Sequence, residues 1–236
     1  PLARYVAKNY LEISKPFKRY QLGTVWRNEK PGPGRFREFL QFDADFVGTN
    51  SLRADAELCV MISEILEKCG LQKSDYIIKI SSRKITEELF KKINVKDNKQ
   101  KLITLRALDK IDRLGWSGVK ELLGKGRKDK SGDFTKGANL KSEEIDEIEK
   151  TLKKKLPETQ DLIEIFKIFK DYNFNNFEFD PSIIRGLEYY TGAIFEVNLK
   201  FDVTNNKGQV IQFGSIGGGG RYDNLTSQFG LNDISG

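Results

Sequence analysis

The stretch YQLGTVWRNEKPGPGRFREFLQFDADFV, residues 20–47, decides the fold that we expect for this chain. An extended run over 20–29 and a second over 35–47 flank the breaker cluster KPGPG at 30–34. Two extended runs around a loop rich in proline and glycine are typical of an antiparallel hairpin. The sequence therefore predicts two paired strands in this part of the chain.

Alternation along the second run separates two kinds of side chain. One side carries Arg35, Arg37, Phe39, Gln41, Asp43 and Asp45, and the other carries Phe36, Leu40, Phe42, Ala44 and Phe46. We expect the apolar side to pack against a core. The charged side has two interpretations that periodicity leaves open. It is an ordinary solvated face, or Arg35, Arg37 and Phe39 clamp phosphates and stack a base beside the loop.

The remaining patterns predict an α+β fold, in which an antiparallel sheet is flanked by helices and carries a small helical insertion. Ser51 caps a helix that Gly70 ends, and a short strand follows at Tyr76–Ile80. Residues 124–137 read as a mobile loop, and 189–199 and 209–215 as a second hairpin. We divide the chain into a first core part, 1–83, the helical insertion, 84–172, and a second core part, 173–236.

Composition narrows the function classes. The 236 residues contain no histidine, which excludes a histidine general base or a Ser-His or Cys-His nucleophile system in the chain. No apolar run approaches the ~20 residues of a membrane span, and we expect a cytoplasmic protein. Cys59 and Cys69 read as core packing. The net charge of +6 permits a nucleic-acid partner without demanding one.

A second signature is RGLEYYTG at 185–192, followed by an alternating strand, and then GGGGRYD at 217–223. From the residues alone, Arg185 is either a surface arginine or an anion ligand. Tyr189 and Tyr190 read as packing more than chemistry. The glycine run favours a close approach of backbone to backbone, because phosphate cradling also needs a helix N-terminus behind the loop.

Together the two blocks carry a resemblance. Residues 24–29 and 34–45 resemble motif 2 of class II aminoacyl-tRNA synthetases, and RFRxFxQ is similar to its histidyl branch. The 185–192 block resembles a signature of histidyl-tRNA synthetases. The resemblance covers nearly all of the chain and implies the class II antiparallel sheet. Residues 84–172 match the family's insertion in placement better than in motif.

The resemblance implies a role for each site residue. Arg27 would hold the α-phosphate of ATP, and Arg185 would act there in place of a metal or lysine, so both are candidate catalytic residues. The implied ATP-binding set is Arg27, Glu29, Arg35, Arg37 and Phe39, with Phe39 stacked on adenine. The implied histidine-binding set is Gln41, Asp45, Arg185, Tyr189, Tyr190, Gly218 and Tyr222. In that set Asp45 would bind the ammonium group, and Tyr190 and Tyr222 would flank the imidazole.

The implied activity is activation of histidine with ATP, followed by transfer to tRNA(His). Mg²⁺ would sit on the β- and γ-phosphates, and the full-length protein would be a homodimer. Basic residues of the insertion either form a solvated surface or touch the tRNA acceptor stem; they are Lys120, Lys125, Arg127, Lys128, Lys130 and Lys136. No protein-borne metal site is expected.

The chain departs from the family's pattern because no stretch resembles motif 1, motif 3 or the anticodon-binding domain. We therefore expect a catalytic-domain fragment, and the sequence leaves open whether such a fragment is active alone. Two other functions remain: a synthetase-like paralogue that serves as a histidine-binding regulatory subunit, and a pseudo-synthetase that binds tRNA for signalling. Neither would need Arg27, Glu29, Arg35, Phe39 and Arg185 together.

Overall fold

The computed structural model describes residues 1–28, 30–32, 34–129, 131–185, 189–204, 208–211 and 213–236. The helices are α1 (Leu2–Asn9), α2 (Leu52–Lys68), α3 (Arg83–Lys92), α4 (Asn98–Leu108), α5 (Ile111–Leu123), α6 (Ser142–Leu152) and α7 (Gln160–Asp171). The longer strands are β1 (Phe17–Trp26), β2 (Glu38–Val47) and β3 (Tyr76–Ser82). The later strands are β4 (Gly126–Lys128), β5 (Phe134–Lys136), β6 (Phe177–Phe179), β7 (Ala193–Leu199), β8 (Val203–Thr204), β9 (Val210–Ile211) and β10 (Ser215–Gly220). None of the helices in these ranges is both long and apolar enough to cross a membrane.

A four-stranded sheet in the order β10-β7-β3-β6 forms the main layer. Its neighbours are antiparallel except for β3 and β6, which run parallel. On one side, Tyr76, Ile78 and Ile80 of β3 are buried among residues of α2 and α7. Alternation places Lys79 and Glu196 on the other side, as register partners on β3 and β7. The α+β class with an antiparallel sheet flanked by helices is confirmed.

A separate pair of strands, β1 and β2, forms the predicted first hairpin. β2 begins at Glu38, so Arg35 and Arg37 precede the strand and lie outside its alternation. The expectation that the apolar side packs a core is wrong over most of its length. Trp26 and Leu40 are 71% and 66% exposed. Alternation determines which residues share a face, but not whether another element covers that face.

Helix α2 begins and ends where the sequence predicts. The Ser51 hydroxyl accepts a hydrogen bond from the Arg53 N–H at 3.3 Å, and Gly70 follows with φ +99°. The buried residues of the helix are Asp55, Ala56, Cys59 and Ser63. Cys69 is exposed, which corrects the expectation that both cysteines pack in a core.

The helical segment contains two different environments. Helices α3 to α6 share a hydrophobic cluster that includes Phe90, Leu108 and Ile148. Helix α7 instead packs into the cluster of the main sheet, through Leu162 and Phe169. The predicted mobile loop at 124–137 contains the short β4–β5 hairpin, which corrects that expectation. The division at residues 84 and 172 stays a prediction.

The glycine run is a strand. Gly217 to Gly220 pair with β7, so the second hairpin is formed mainly by β7 and β10, whereas the prediction used residues 209–215. Within the predicted strand 209–215, Val210 and Ile211 pair with β8, and Ser215 begins β10 opposite Asn198 of β7. A Cβ on Gly220 would lie 2.7 Å from the Ala193 carbonyl oxygen. Glycine is therefore required there because the two backbones approach closely.

Candidate functional site

A cavity of about 810 Å³ lies between the β1–β2 pair, α2 and the β10 edge of the main sheet. Five of the sequence-predicted site residues line it: Asp45, Tyr189, Tyr190, Gly218 and Tyr222. Arg19, Gln21, Asp43, Asp55 and Arg221 also line it, although no motif in the sequence assigned them a role. The cavity therefore brings the end of β2 together with the glycine strand and the residues that follow it.

Asp45 is the central acid of this cavity. Its Oδ1 accepts a hydrogen bond from the Tyr222 hydroxyl at 2.9 Å, and its Oδ2 lies 3.3 Å from Nη1 of Arg19. Burial raises the pKa of Asp45, while the Tyr222 hydrogen bond and the charge of Arg19 oppose that rise. Burial likewise raises the pKa of Tyr222. The phenol therefore stays protonated and serves Asp45 as a donor.

Arg27, Gln41 and Phe39 form a connected group outside the cavity lining. Arg27 Nη2 donates to Gln41 Oε1 at 2.5 Å, and Gln41 Nε2 donates to Asp43 Oδ1 at 2.8 Å. Since Asp43 lines the cavity, this chain of hydrogen bonds links Arg27 to it. The Arg27 guanidinium also lies over the Phe39 ring, 5.1 Å from its centroid. It therefore occupies one face of the ring to which the sequence assigns base stacking.

The loop between β1 and β2 holds the remaining candidate ATP residues. The Arg35 N–H donates to Gly32 O at 2.9 Å, and the Arg27 N–H donates to Arg37 O at 2.8 Å. Arg35 and Arg37 are exposed and do not line the cavity. Glu29 lies outside the described residues. The loop brings its arginines to the end of the strand pair without aligning them along one face of β2.

Arg185 lies beside the glycine strand. Its Nε is paired with Oε1 of Glu196 on β7. A Cβ on Gly218 would lie 3.2 Å from Arg185 Nη1 and 2.8 Å from the Phe195 carbonyl oxygen. The glycine thus allows the guanidinium to approach the backbone of β10. Burial raises the pKa of Glu196, and Arg185 opposes the rise, which favours an ionised pair.

Two tyrosines line the cavity beside Gly220. The ring centroids of Tyr189 and Tyr190 are 4.4 Å apart, and a Cβ on Gly220 would lie 3.1 Å from the Tyr190 ring. The pKa of Tyr190 is raised, mainly because the phenol is buried. Because the glycines of β10 carry no side chains, the strand leaves room for aromatic rings along the cavity.

A buried ionic cluster joins the segments around this cavity. Arg221 Nη2 donates to Asp55 Oδ2 at 2.5 Å, and its Nη1 donates to Asp223 Oδ1 at 3.2 Å. The Thr191 hydroxyl donates to Asp223 Oδ2 at 2.6 Å. Asp55 on α2 is thereby tied to the residues on both sides of Tyr222. Sequence reasoning missed this cluster because Arg221 and Asp55 are 166 positions apart.

Arg19 was also missed, and here a signal existed. The sequence places the first strand from Tyr20, whereas β1 begins at Phe17. Extending the alternation by one step would have placed Arg19 on the same face as Gln21. The register then sets Arg19 opposite Asp45 and Gln21 opposite Asp43.

The basic residues of the helical segment are partly neutralised by acidic neighbours. Lys120 lies 3.8 Å from Asp146, and Arg127 lies 3.2 Å from Glu121. Lys130 lies outside the described residues.

Comparison with known proteins places the chain among relatives. A family model described as histidyl-tRNA synthetase matches residues 2–235. The histidine–tRNA ligase of Bartonella quintana is 49% identical over 254 residues, covering 97% of this chain and 51% of the relative. That of Rhizobium meliloti is 45% identical over 253 residues, with 97% and 50% covered. The chain therefore spans about half the length of the curated relatives it matches.

Solved structures agree on the fold. The histidyl-tRNA synthetase of Nostoc sp. PCC 7120 superposes with a TM-score of 0.76 at 26% identity, covering all of this chain and 54% of that one. A Bacillus halodurans protein described as an ATP phosphoribosyltransferase regulatory subunit/histidyl-tRNA synthetase gives 0.72 at 19% identity, covering all of this chain and 59% of that one. At that identity the likeness is one of fold alone.

Proposed function

The chain belongs to the histidyl-tRNA synthetase family, and from that premise we propose that it carries part of the catalytic domain of a histidine–tRNA ligase. Such an enzyme joins histidine to the AMP part of ATP, releasing pyrophosphate, and then transfers the histidyl group from the adenylate to tRNA(His) with release of AMP. The observation that carries the proposal is the cavity in which Asp45 of β2 meets Tyr222, because those residues come from the two separate sequence blocks.

The chemistry suits a chain without histidine. In adenylation, the carboxylate of the amino acid attacks the α-phosphorus of ATP and pyrophosphate leaves. A carboxylate is already ionised at neutral pH, so the step needs no general base. It needs in-line placement and cationic donors for the charge that develops on the phosphate oxygens. Arginine meets the second need because its planar guanidinium binds phosphate through two N–H groups.

Arg27 and Arg185 would supply those donors from two sides of the α-phosphate. Their positions support this assignment, because each is connected to the cavity by a contact. Arg27 reaches it through Gln41 and Asp43, and Arg185 lies against Gly218. Phe39 would stack on adenine once the Arg27 guanidinium turns from the ring to the phosphates. Glu29, Arg35 and Arg37 would complete the contacts to ATP.

The amino acid would occupy the tyrosine-lined part of the cavity. Asp45 would bind its ammonium group and Gln41 would assist, while Tyr190 and Tyr222 flank the imidazole, beside Tyr189 and Gly218. Discrimination would arise because another amino acid leaves polar groups of the pocket without the hydrogen bonds that an imidazole makes. Burial raises the pKa of both phenols and keeps them protonated; since the Tyr222 hydroxyl donates to Asp45, its oxygen would accept a hydrogen bond from an imidazole N–H.

Further substrates and partners belong to the same proposal. Mg²⁺ would enter with the nucleotide, bound by β- and γ-phosphate oxygens. Among the described residues, no three His, Cys, Asp or Glu side chains come together as a metal site of the protein. Contacts of the basic insertion with tRNA would weaken steeply with salt. We also propose a homodimer and a cytoplasmic location for the full-length enzyme.

The test is histidine-dependent exchange of pyrophosphate into ATP, measured on the full-length chain. The wild type should exchange, and Arg185→Ala should lower the rate roughly 10²- to 10³-fold, by analogy with the loss of an oxyanion donor. Arg106→Ala, an exposed arginine on α4, serves as the matched control and should leave the rate unchanged. Pyrophosphate exchange that does not depend on added histidine would contradict the proposal, and so would an Arg185→Ala variant with full activity. A regulatory paralogue would bind histidine without exchange.

A further inference from the structure

Arg19 is a cavity residue that belongs to neither of the two sequence blocks. It lies on β1 directly opposite Asp45 in the β1–β2 ladder. Its Nη1 is 3.3 Å from Asp45 Oδ2, and its Nη2 donates to Gln21 Oε1 at 2.7 Å. The side chains of Arg19 and Asp45 are only 20% and 21% exposed. The pair is therefore largely screened from water.

The charges around this pair do not balance. At the end of the strand pair that lines the cavity, Arg19, Gln21, Asp43 and Asp45 share one face, which gives two carboxylates against one guanidinium at that end. Tyr222, the other hydrogen-bond partner of Asp45, is neutral because burial raises its pKa. This end of the face therefore carries one more negative charge than positive charge. A ligand carrying an ammonium group would supply the balancing positive charge.

The carboxylate of Asp45 also requires support to stay charged. Burial raises its pKa and so does the neighbouring Asp43, while Tyr222 and Arg19 oppose the rise. A buried acid that loses its cationic partner tends to take up a proton and then no longer attracts an ammonium group. Arg19 makes only one contact to Asp45 and is anchored by Gln21, so lone pairs of the carboxylate remain available to a ligand.

We propose that Arg19 is a positioning residue of the amino-acid pocket, which holds the Asp45 carboxylate ionised and oriented to receive the substrate ammonium group. This inference rests on the proposed function, since it requires Asp45 to bind that group. Arg19 acts through Asp45 and does not touch the reacting atoms. It also neutralises one of the two carboxylates, so that a single positive charge, that of the amino acid, completes the face.

The experiment measures binding of two ligands to the full-length chain by calorimetry. The first ligand is histidine, and the second is 3-(imidazol-4-yl)propionate, which has the same ring and carboxylate but no ammonium group. Arg19→Gln should weaken histidine about tenfold, the scale of a hydrogen bond to a charged group, and leave the analogue unchanged. Arg19→Lys, which keeps the charge, should recover most of the loss.

Lys18→Gln is the matched control. Lys18 is the adjacent cation on β1, but it is half exposed and pairs with Glu57, 2.7 Å away on α2. The Lys18→Gln variant should bind both ligands as tightly as the wild type does. An Arg19→Gln variant that still binds the analogue is folded, so a loss confined to histidine reports on the ammonium site.

The outcomes separate the inference from its premise. Unchanged or tighter histidine binding in Arg19→Gln overturns the positioning role, and tighter binding would mean that Arg19 competes with the ligand. Equal loss for both ligands also overturns it, because the effect would then not act through the ammonium group. Failure of the wild type to bind histidine would instead overturn the proposed function.

Discussion

The strand pair β1–β2 and the four-stranded sheet obey the same alternation and use it in opposite ways. In the sheet, the apolar side of β3 is buried by α2 and α7, and the polar side carries Lys79 and Glu196. In the pair, the polar side lines the cavity, while Leu22, Trp26 and Leu40 on the apolar side are exposed. Periodicity therefore indicates which side chains share a face. The layer that covers a face decides its energetic role.

Removing a large apolar side chain tests this difference most strongly. Ile78→Ala, at a site with no exposure, should lower the free energy of unfolding by about 2–5 kcal/mol, because it removes buried methyl groups and leaves a cavity. Leu40→Ala, on the exposed face of the pair, should change it by about 0.5 kcal/mol or less. Urea titration measures both. A large loss for Leu40→Ala would mean that this face is covered in solution.

Glycine to alanine substitutions give the next largest contrast. A Cβ on Gly220 of β10 would lie 2.7 Å from the Ala193 carbonyl and 3.1 Å from the Tyr190 ring, whereas one on Gly23 of β1 meets nothing within 4 Å. Gly220→Ala should therefore destabilise the chain by about 1–3 kcal/mol through overpacking. Gly23→Ala should be neutral or slightly stabilising. Thermal unfolding of both variants would reveal the difference, and equal melting temperatures would contradict it.

Two tyrosines compare the contribution of a buried hydroxyl in the main sheet with that of an exposed hydroxyl on the strand pair. The Tyr76 hydroxyl is buried beneath α2, 2.6 Å from the Ser63 hydroxyl, while Tyr20 on the strand pair is exposed. Tyr76→Phe should lower the free energy of unfolding by about 1 kcal/mol, since the buried hydrogen bond between the Tyr76 and Ser63 hydroxyls is lost. Tyr20→Phe should have no measurable effect. A Tyr76→Phe variant as stable as the wild type would show that the hydrogen bond from Ser63 to Glu67 suffices without the tyrosine hydroxyl.

Two carboxylates should give the smallest effects, with opposite dependence on pH. Burial would raise the pKa of Asp180, but hydrogen bonds from Lys79 and Ser182 lower it overall, whereas burial leaves the pKa of Asp45 raised. A lowered pKa contributes stability that is lost as pH falls through the folded value. A raised one contributes stability below the unfolded value, lost as pH rises through the folded value.

Asp180→Asn should therefore be more destabilising at about pH 7 than at about pH 3, and Asp45→Asn should show the reverse trend. Urea titrations at both pH values measure the two differences, and each variant is the other's control. The same sign for both would mean that the two carboxylates share one environment.

Local chemistry explains what the sequence could predict. Helix α2 was predictable because Ser51 and Gly70 mark its ends within the segment itself. The candidate site residues of the two sequence blocks could be identified because, within each block, they lie close together in the sequence. Five of the candidate residues line the cavity, but the residue-by-residue roles remain predictions.

Nonlocal packing explains the rest. The pairing of Gly217 to Gly220 with β7 could not be inferred from propensity, because glycine is unfavourable in strands and is retained here for close backbone contact. The Asp55–Arg221 pair depends on α2 meeting the end of β10. Arg35 and Arg37 were placed on β2 because a strand pattern has no internal signal for its first residue, and the loop extends to residue 37.

The central strand β3 pairs with β7, so that Tyr76 meets Leu199 and Ser82 meets Ala193, whereas β1 and β2 pair within residues 17–47. The hairpin can close soon after its residues leave the ribosome. The main sheet must wait until the whole helical segment has been synthesised, because its contacts join distant parts of the chain, and closing such loops slows folding. The side of the cavity formed by β1 and β2 can therefore fold well before the side formed by the main sheet, and the glycine strand β10 is added last.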